Sequence, residues 1–334
     1  MITAYPMEGG FELKGWVEVD GRRLSESEVY SSLGEGPQFV SRFGGEFFIR
    51  WDGFSARDRL GIVPGDCPPG TVVSDGVVVA HVEPDPPALN LNEAIETAVL
   101  LRKDGAVVAL SGGIDSALVA ALAKRDCVVA GVEGSGDLKR AREVADTLGL
   151  ALEAAVIDPG RIEEALGQVL AVIPQRTPVD ASIAATLYFV SELAKDHGYE
   201  RILTGQGADE LFGGYARYLD SEDLASDLER DILGLPAQAA RDQAVASLFG
   251  VRFSLPYLDF RVVRNAQGIP AEEKVKGGVR KRPLREVAAL HLPAEIAHRE
   301  KKAMQYGSGV MREMKRLARR RSFSNLSDYL ETFR

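Results

Sequence analysis

The spacing of apolar positions divides the 334-residue chain into two regimes. Up to about Pro87 they come in short runs, "FELKGWVEVDG", "GGEFFIRWDG" and "TVVSDGVVVAHVE", rich in β-branched and aromatic side chains. Turn signals such as Asp20-Gly21 and Asp52-Gly53 separate the runs, which predicts a small β-rich unit. Three prolines in "EPDPPALN" predict a linker, and a helix is expected from about Asn92 to Leu101. From Ala106 apolar runs alternate with helical patterns. "AVVAL", "CVVAGV", "LALEAAVI" and "YERILTG" read as strands, with helices over "SALVAALAKR", "DLKRAREVADTLG" ended by Gly149, and about Ala181 to His197. Beyond Tyr215 the chain reads mainly as helices, and no internal repeat is visible. The expectation is an α/β fold with a doubly wound parallel sheet and a helical C-terminal part, preceded by a small β-rich domain. The boundaries are set at 1–88 and 89–334.

Two loops follow predicted strands and carry the candidate chemistry. In "AVVALSGGIDSAL", Gly112 and Gly113 permit a tight turn, and backbone N–H groups then face one point at a helix start, where the helix dipole favours an anion. Ser111 and Ser116 add hydroxyl donors. Asp115 would repel a phosphate by itself but makes sense with Mg²⁺ between them. The loop therefore reads as a binder of Mg-polyphosphate, against the plainer reading of a Gly-Gly turn with Asp as a cap. It is neither GxxxxGK[ST] nor GxGxxG. In "LTGQGADELFGGY", Gly205, Gly207, Gly213 and Gly214 keep the backbone close to a ligand, and Asp209 and Glu210 offer acids to the other side of a metal.

Composition narrows the class. Hydrophobic residues make up 45% of the chain, which fits a globular protein. No apolar run approaches the ~18 residues of a membrane span. "MITAYPMEGG" has no secretion pattern, and Cys67 and Cys127 form no CxxC pair, so a cytoplasmic protein without membrane contact is expected. The net charge of −9 is uneven: from Lys274 to Arg321, 15 Lys and Arg stand against 4 Glu, a net +11 that leaves −20 elsewhere. The last third of this segment, "MREMKRLARRR", reads as a solvated helix face. The stretch from Lys274 to Lys302 suggests an anionic ligand.

The first loop resembles the pyrophosphate loop of the ATP pyrophosphatases, the adenine nucleotide alpha hydrolase-like superfamily. The second resembles the synthetase domain of class B asparagine synthetase, with its Gly-Glu-Gly-x-Asp-Glu-x-Phe-Gly-Gly-Tyr signature. "GVEGSGDLKRAREVADTLGL", "FSLPYLD" and "KRPLREVAALHLPAEIAHREKKAMQYGSG" are similar to further elements of that family, respectively the adenine-side strand and helix, a substrate-pocket element retaining Asp259, and its late basic motifs. The resemblance covers about Leu91 to Arg316. It implies that ATP and Mg²⁺ activate a carboxylate as an acyl-adenylate, and that ammonia then forms an amide, with aspartate the default substrate. By the same resemblance Asp115 and Asp209 would hold Mg²⁺. Ser111, Gly112, Gly113, Ser116, Val132, Gly205, Gly207, Lys281, Arg299 and Lys301 would bind nucleotide. Lys281, Gln206, Asp209 and Glu210 would serve catalysis.

Two departures limit what carries over. "RFGGEFFIRWDGFSARDRLGIVPG" looks like part of a class II glutaminase domain, yet the second residue is Ile2 where that domain needs a cysteine, and the unit is about half the usual length. No glutamine hydrolysis is therefore expected, and nitrogen would come as free ammonia or from a separate glutaminase subunit. Gln206 stands where the family carries an acid, and glutamine cannot take a proton from ammonia. "PVDASIAATLYFV" lacks the arginine-rich form expected for aspartate. Alternatives are therefore an adenylating ligase for another small carboxylate, a tRNA or a protein, and a nucleotide-binding regulatory homologue. No aromatic-interleaved basic stretch supports a nucleic-acid partner, and a homodimer is compatible with the resemblance.

Overall fold

The computed structural model describes residues 11–299 and 307–333. Its first part is a six-stranded antiparallel sheet. The strands are β1 (Glu12–Val19), β2 (Arg22–Arg23), β3 (Gly44–Trp51), β4 (Phe54–Arg57), β5 (Thr71–Ser74) and β6 (Val77–His81), in the order β2-β1-β3-β4-β5-β6. The three apolar runs of the sequence become β1, β3 and the β5–β6 hairpin. Two short helices, α1 (Glu26–Leu33) and α2 (Pro37–Val40), interrupt the strands, a feature the strand pattern does not announce. A capping box starts α1: the Ser25 side chain accepts from Glu28 N, and the Glu28 side chain accepts from Ser25 N. The tight turn after β4 folds around Asp58, whose two carboxylate oxygens accept the Ile62 and Val63 N–H groups at 2.9 Å each.

After the proline-rich linker, α3 (Leu91–Leu100) begins with a capping box between Asn90 and Glu93. The parallel sheet follows: β7 (Ala106–Ala109), α4 (Ile114–Ala123), β8 (Cys127–Val132), α5 (Gly136–Leu148), β9 (Leu152–Ile157), α6 (Pro159–Val172), α7 (Pro178–Asp196) and β10 (Arg201–Leu203). Gly149 closes α5 in the left-handed region, at φ 64°. Helix α7 begins at Pro178, ahead of the expected Ala181, because Thr177 caps it and proline is suited to its first turn. The chain continues through α8 (Ala208–Phe212), α9 (Leu224–Leu233), α10 (Leu235–Ser247), β11 (Arg252–Ser254), α11 (Phe260–Gly268), α12 (Ala271–Lys274), α13 (Arg282–Ala288), α14 (Ala294–Ala297), α15 (Val310–Arg320) and α16 (Leu326–Leu330). The three-residue strand β11 lies in a region expected to be helical. The basic stretch of α15 is a solvated face, with Met311, Met314 and Ala318 turned into the core.

The five-stranded order is β11-β10-β7-β8-β9. The chain runs outward from β7 through β8 to β9, then returns to place β10 on the other side of β7. That reversal is the topological switch point, where open parallel sheets bind ligands at the strands' carboxyl ends.

The two sheets meet through buried charge. Arg102 Nε donates to Glu46 Oε1 and its Nη1 to Asp259 Oδ2, both at 2.8 Å. Arg261 pairs with Asp259 and with Glu18 of β1. Ser254 Oγ and Leu255 N also donate to Glu46. All five charged side chains are at most 3% exposed. "FSLPYLD" thus puts Asp259 into the joint between the sheets, away from the cleft expected for it, because two arginines claim its oxygens.

Candidate active site

Strands β7 and β10 are hydrogen-bonded neighbours with Leu203 opposite Val108, so the loops leaving them emerge side by side. This is how motifs some ninety residues apart in sequence meet. In the first loop Gly112 has φ 72°, and a side-chain carbon there would approach the Arg140 backbone to 2.5 Å, so α5 lies directly on the turn. Ser116 Oγ accepts from Ser111 N at 3.2 Å, donates to Gly113 O at 3.2 Å and lies 3.1 Å from Ser111 Oγ. No side chain caps the start of α4, so its first N–H groups have no acceptor from that source. The second loop presses on the first: a methyl at Gly205 would stand 2.9 Å from Ser116 N and 2.8 Å from Asp115 Cβ.

A third segment closes the site. Lys281, at φ 57°, sends its Nζ to within 2.6 Å of Asp115 Oδ1 and 2.5 Å of Asp209 Oδ1. Lysine rarely adopts a left-handed backbone, and the pair of carboxylates overdetermines it here. A methyl on Gly214 would fall onto Asp209 Oδ1 and Lys281 Cε, so that glycine makes room for the contact. Tyr257 OH donates to Asp115 O at 3.1 Å from beneath.

Deeper in the cleft are two polar clusters. Glu210 accepts Tyr215 OH at 2.5 Å and Gln238 Nε2 at 2.8 Å. Burial raises its pKa above the usual carboxylate value, and the nearby Asp209 charge adds to this. Gln206 accepts Thr204 Oγ1 at 3.1 Å and donates through Nε2 to Asp242 Oδ2 at 2.6 Å. Arg241 Nε donates to Asp242 Oδ1 and Nη1 to Asp180 Oδ1, both at 2.8 Å. Burial pushes the Asp242 carboxyl up, with Arg241 opposing.

The cleft encloses about 950 Å³ counting its open mouth. Val128, Val129 and Ala130 of β8 and Ile183, Leu187 and Val190 of α7 give it apolar walls. Ser111, Asp115, Ser116, Gly205, Gln206, Gly207, Asp209 and Glu210 line it, Lys281 reaches its two acids, and Gly112 and Gly113 shape the first turn. Two expected residues lie elsewhere. Val132 N donates to Ser308 O at 2.8 Å, which turns this end of β8 toward the Gly309 segment, and residues 128–130 line the cleft in its place. Arg299 pairs with Glu143 of α5 at 3.1 Å. Lys301 lies outside the described residues.

Arg241, Asp242, Gln238, Tyr215 and Asp180 were missed by sequence reasoning. "RDQ" in the alanine-rich α10 was the available signal, but periodicity does not reveal that a charged pair is buried.

Among the described residues no three His, Cys, Asp or Glu gather as a metal site. Two carboxylate oxygens nonetheless converge on one cation. Mg²⁺ commonly takes one or two carboxylates and completes its shell with waters and substrate phosphates. Asp115 and Asp209 fit that requirement.

A cleft at the switch point of a parallel sheet, with a helix-start loop beside paired acids and a lysine, marks the place where an α/β protein of this topology binds a small ligand. The asparagine synthase family model matches residues 90–248 and 235–332, and the chain belongs to that family. A Methanocaldococcus jannaschii protein provisionally named a glutamine-hydrolyzing asparagine synthetase is 33% identical over 72% of this chain and 53% of its own length. Asparagine synthetase B of Escherichia coli is 29% identical over 61% of this chain and 41% of its own. The chain thus spans about half the length of the curated relatives it matches. Among solved structures, NMN synthetase from Francisella tularensis aligns with 71% of this chain and 98% of its own at a TM-score of 0.29 and 14% identity, a likeness too slight to build on. No helix among the described residues is long and apolar enough to cross a membrane.

Proposed function

We propose that this chain uses ATP to activate a small carboxylate as its adenylate and then forms an amide with ammonia, aspartate being the default acceptor. The observation that carries the reading is the meeting of Asp115, Asp209 and Lys281 at one point between the two strand-end loops. Charge develops on pyrophosphate as it leaves, and donors already fixed around the leaving group lower that barrier. Ser111, Ser116 and the first N–H groups of α4 are disposed to orient phosphate oxygens. Lys281 supplies a buried cation, and the β8 and α7 walls suit a flat base. When bound, Mg²⁺ at Asp115 and Asp209 would neutralise phosphate charge.

In the second half-reaction ammonia must lose a proton. Gln206 cannot accept it, and its amide is committed to Asp242. Glu210, buried and with a raised pKa, is the carboxylate suited to the task. Neither cysteine has the character of a glutaminase nucleophile. Cys67 and Cys127 are buried, and burial raises both thiols, Cys127 to about 12. Ammonia is therefore the nitrogen source we assign, free or handed over by a separate subunit.

One observation favours a second reading. With Gln206, Arg241, Asp242 and Asp180 linked at the wall where the family signature has an acid, the pocket suits an acceptor other than aspartate. Pyrophosphate release measured with ATP, Mg²⁺ and a panel of carboxylates, with and without ammonium, decides between them. Release dependent on aspartate and ammonium supports the first reading. Release only with another acceptor supports the second, and nucleotide binding without release with any acceptor overturns both.

A further inference from the structure

At the opposite end of the parallel sheet, three arginines come together with no acid in ion-pair contact among the described residues. Arg201 and Arg252 open the adjacent parallel strands β10 and β11 and are register partners, so their side chains leave the same face about 4.8 Å apart. Arg23, on edge strand β2 of the antiparallel sheet, joins them from across the joint. It rests on one ring, Trp16, which Arg102 also approaches, with guanidinium carbons 5.3 and 4.9 Å from the ring centre.

Arg201 is only 6% exposed. Its Nη1 donates to the carbonyls of Arg102 and Asp104, while Nε is buried with no partner. Among the described residues none of the three guanidiniums makes an ion pair. The acids nearest in charge terms are already engaged, Glu46 with Arg102 and Asp104 with Arg125. Burial, with the neighbouring arginines adding to it, lowers the Arg201 pKa to about 10 and lowers that of Arg23 as well. A buried guanidinium with an orphaned N–H, flanked by two unpaired cations, is costly as it stands and is relieved by an oxyanion, which such forks bind well.

We propose that Arg23, Arg201 and Arg252 form a site for a phosphate-class oxyanion, distinct from the ATP cleft and at the junction of the two sheets. Free phosphate, pyrophosphate and a nucleotide phosphate share that chemistry.

The test uses the full chain, with melting temperature followed in sodium phosphate, pyrophosphate or AMP against sodium chloride at equal ionic strength. Wild type and Ser116→Ala, which weakens the strand-end loop, should both be stabilised by inorganic phosphate. Arg252→Gln should raise the apparent dissociation constant about tenfold, the scale of one lost charge-assisted hydrogen bond. Arg252→Glu should abolish the response and, in chloride alone, melt no lower than wild type, because it supplies the missing acid. The ranking of the three ligands identifies which source the site prefers. An unchanged phosphate response in Arg252→Glu, or its loss in Ser116→Ala, would overturn the proposal. So would an Arg252→Glu protein that melts below wild type in chloride. None of these readouts involves pyrophosphate release, so the site stands or falls separately from the proposed activity.

Discussion

Lys281 Nζ lies 2.6 Å from Asp115 Oδ1, joining a left-handed lysine to the first turn of a helix 166 residues earlier. Neither group is near the other in sequence or on a neighbouring strand. The contact exists because α13 begins where the 203–215 loop ends its sweep across the sheet, and Arg280 Nη1 secures that crossing by donating to Gly214 O at 2.7 Å.

Removing the acid of this pair should abolish turnover while sparing the fold. Asp115→Asn is expected to lower pyrophosphate release at least ~10²-fold, the scale of losing one preorganised electrostatic group. Steady-state release alongside a far-UV spectrum checks this, and near-wild-type release would remove Asp115 from the site.

Gly214→Ala should have a similar effect without touching a charge. The added methyl meets Asp209 Oδ1 and Lys281 Cε, so the lysine must leave its two acids. Activity should fall ~10²-fold with the melting temperature nearly retained, since displaced side chains of a catalytic site are worth more to rate than to stability. Full activity in this variant would show that the lysine position is unimportant.

Gln206→Glu sets a carboxylate against Asp242 Oδ2, where an amide now donates. The expected cost is about 1–3 kcal/mol in urea unfolding, recovered in the double variant with Asp242→Asn. If aspartate is the acceptor, ammonia-dependent amide formation should increase in that double variant. Unaltered product formation would assign the pocket to another substrate.

Asp58 should make stability fall with rising pH. Burial pushes its pKa from 3.8 up to about 6, against the help of two N–H donors. A raised carboxylate favours the folded state when protonated, so its contribution is present below about 3.8 and is lost as pH passes about 6. Between pH 4 and 7 the wild type should lose on the order of 3 kcal/mol relative to Asp58→Asn. Parallel unfolding curves for the two proteins across that range would refute the assignment.

How far the sequence goes is clear from particular residues. "AVVAL" and "CVVAGV" are legible because a strand buried on both faces is a continuous apolar run, and Gly149 marks a helix end because it supplies a left-handed residue. The two strand-end loops are legible because glycine, serine and acid sit at fixed offsets from those strands. β11 was not, since three residues are too few to show a period. α1 is hidden in the sequence because its eight residues and their capping box sit inside a stretch whose apolar pattern is that of strands. Arg241 and Asp242 could not be found by pattern, because their place in the cleft depends on how α10 crosses the sheet. Val132 and Arg299 show the converse: proximity in a motif does not fix where a side chain goes, and local partners, Ser308 O and Glu143, took them elsewhere.

Glu46, Arg102 and Asp259 have a practical corollary for anyone recombining this chain with its relatives. Their oxygens and guanidinium are dry on every side, so exchanging only one half strands a full charge in hydrocarbon, an error of about 3–5 kcal/mol. A working chimera must transplant Glu18, Glu46, Arg102, Asp259 and Arg261 as a set, and the N-terminal sheet is thereby an inseparable part of the packed molecule rather than a detachable accessory.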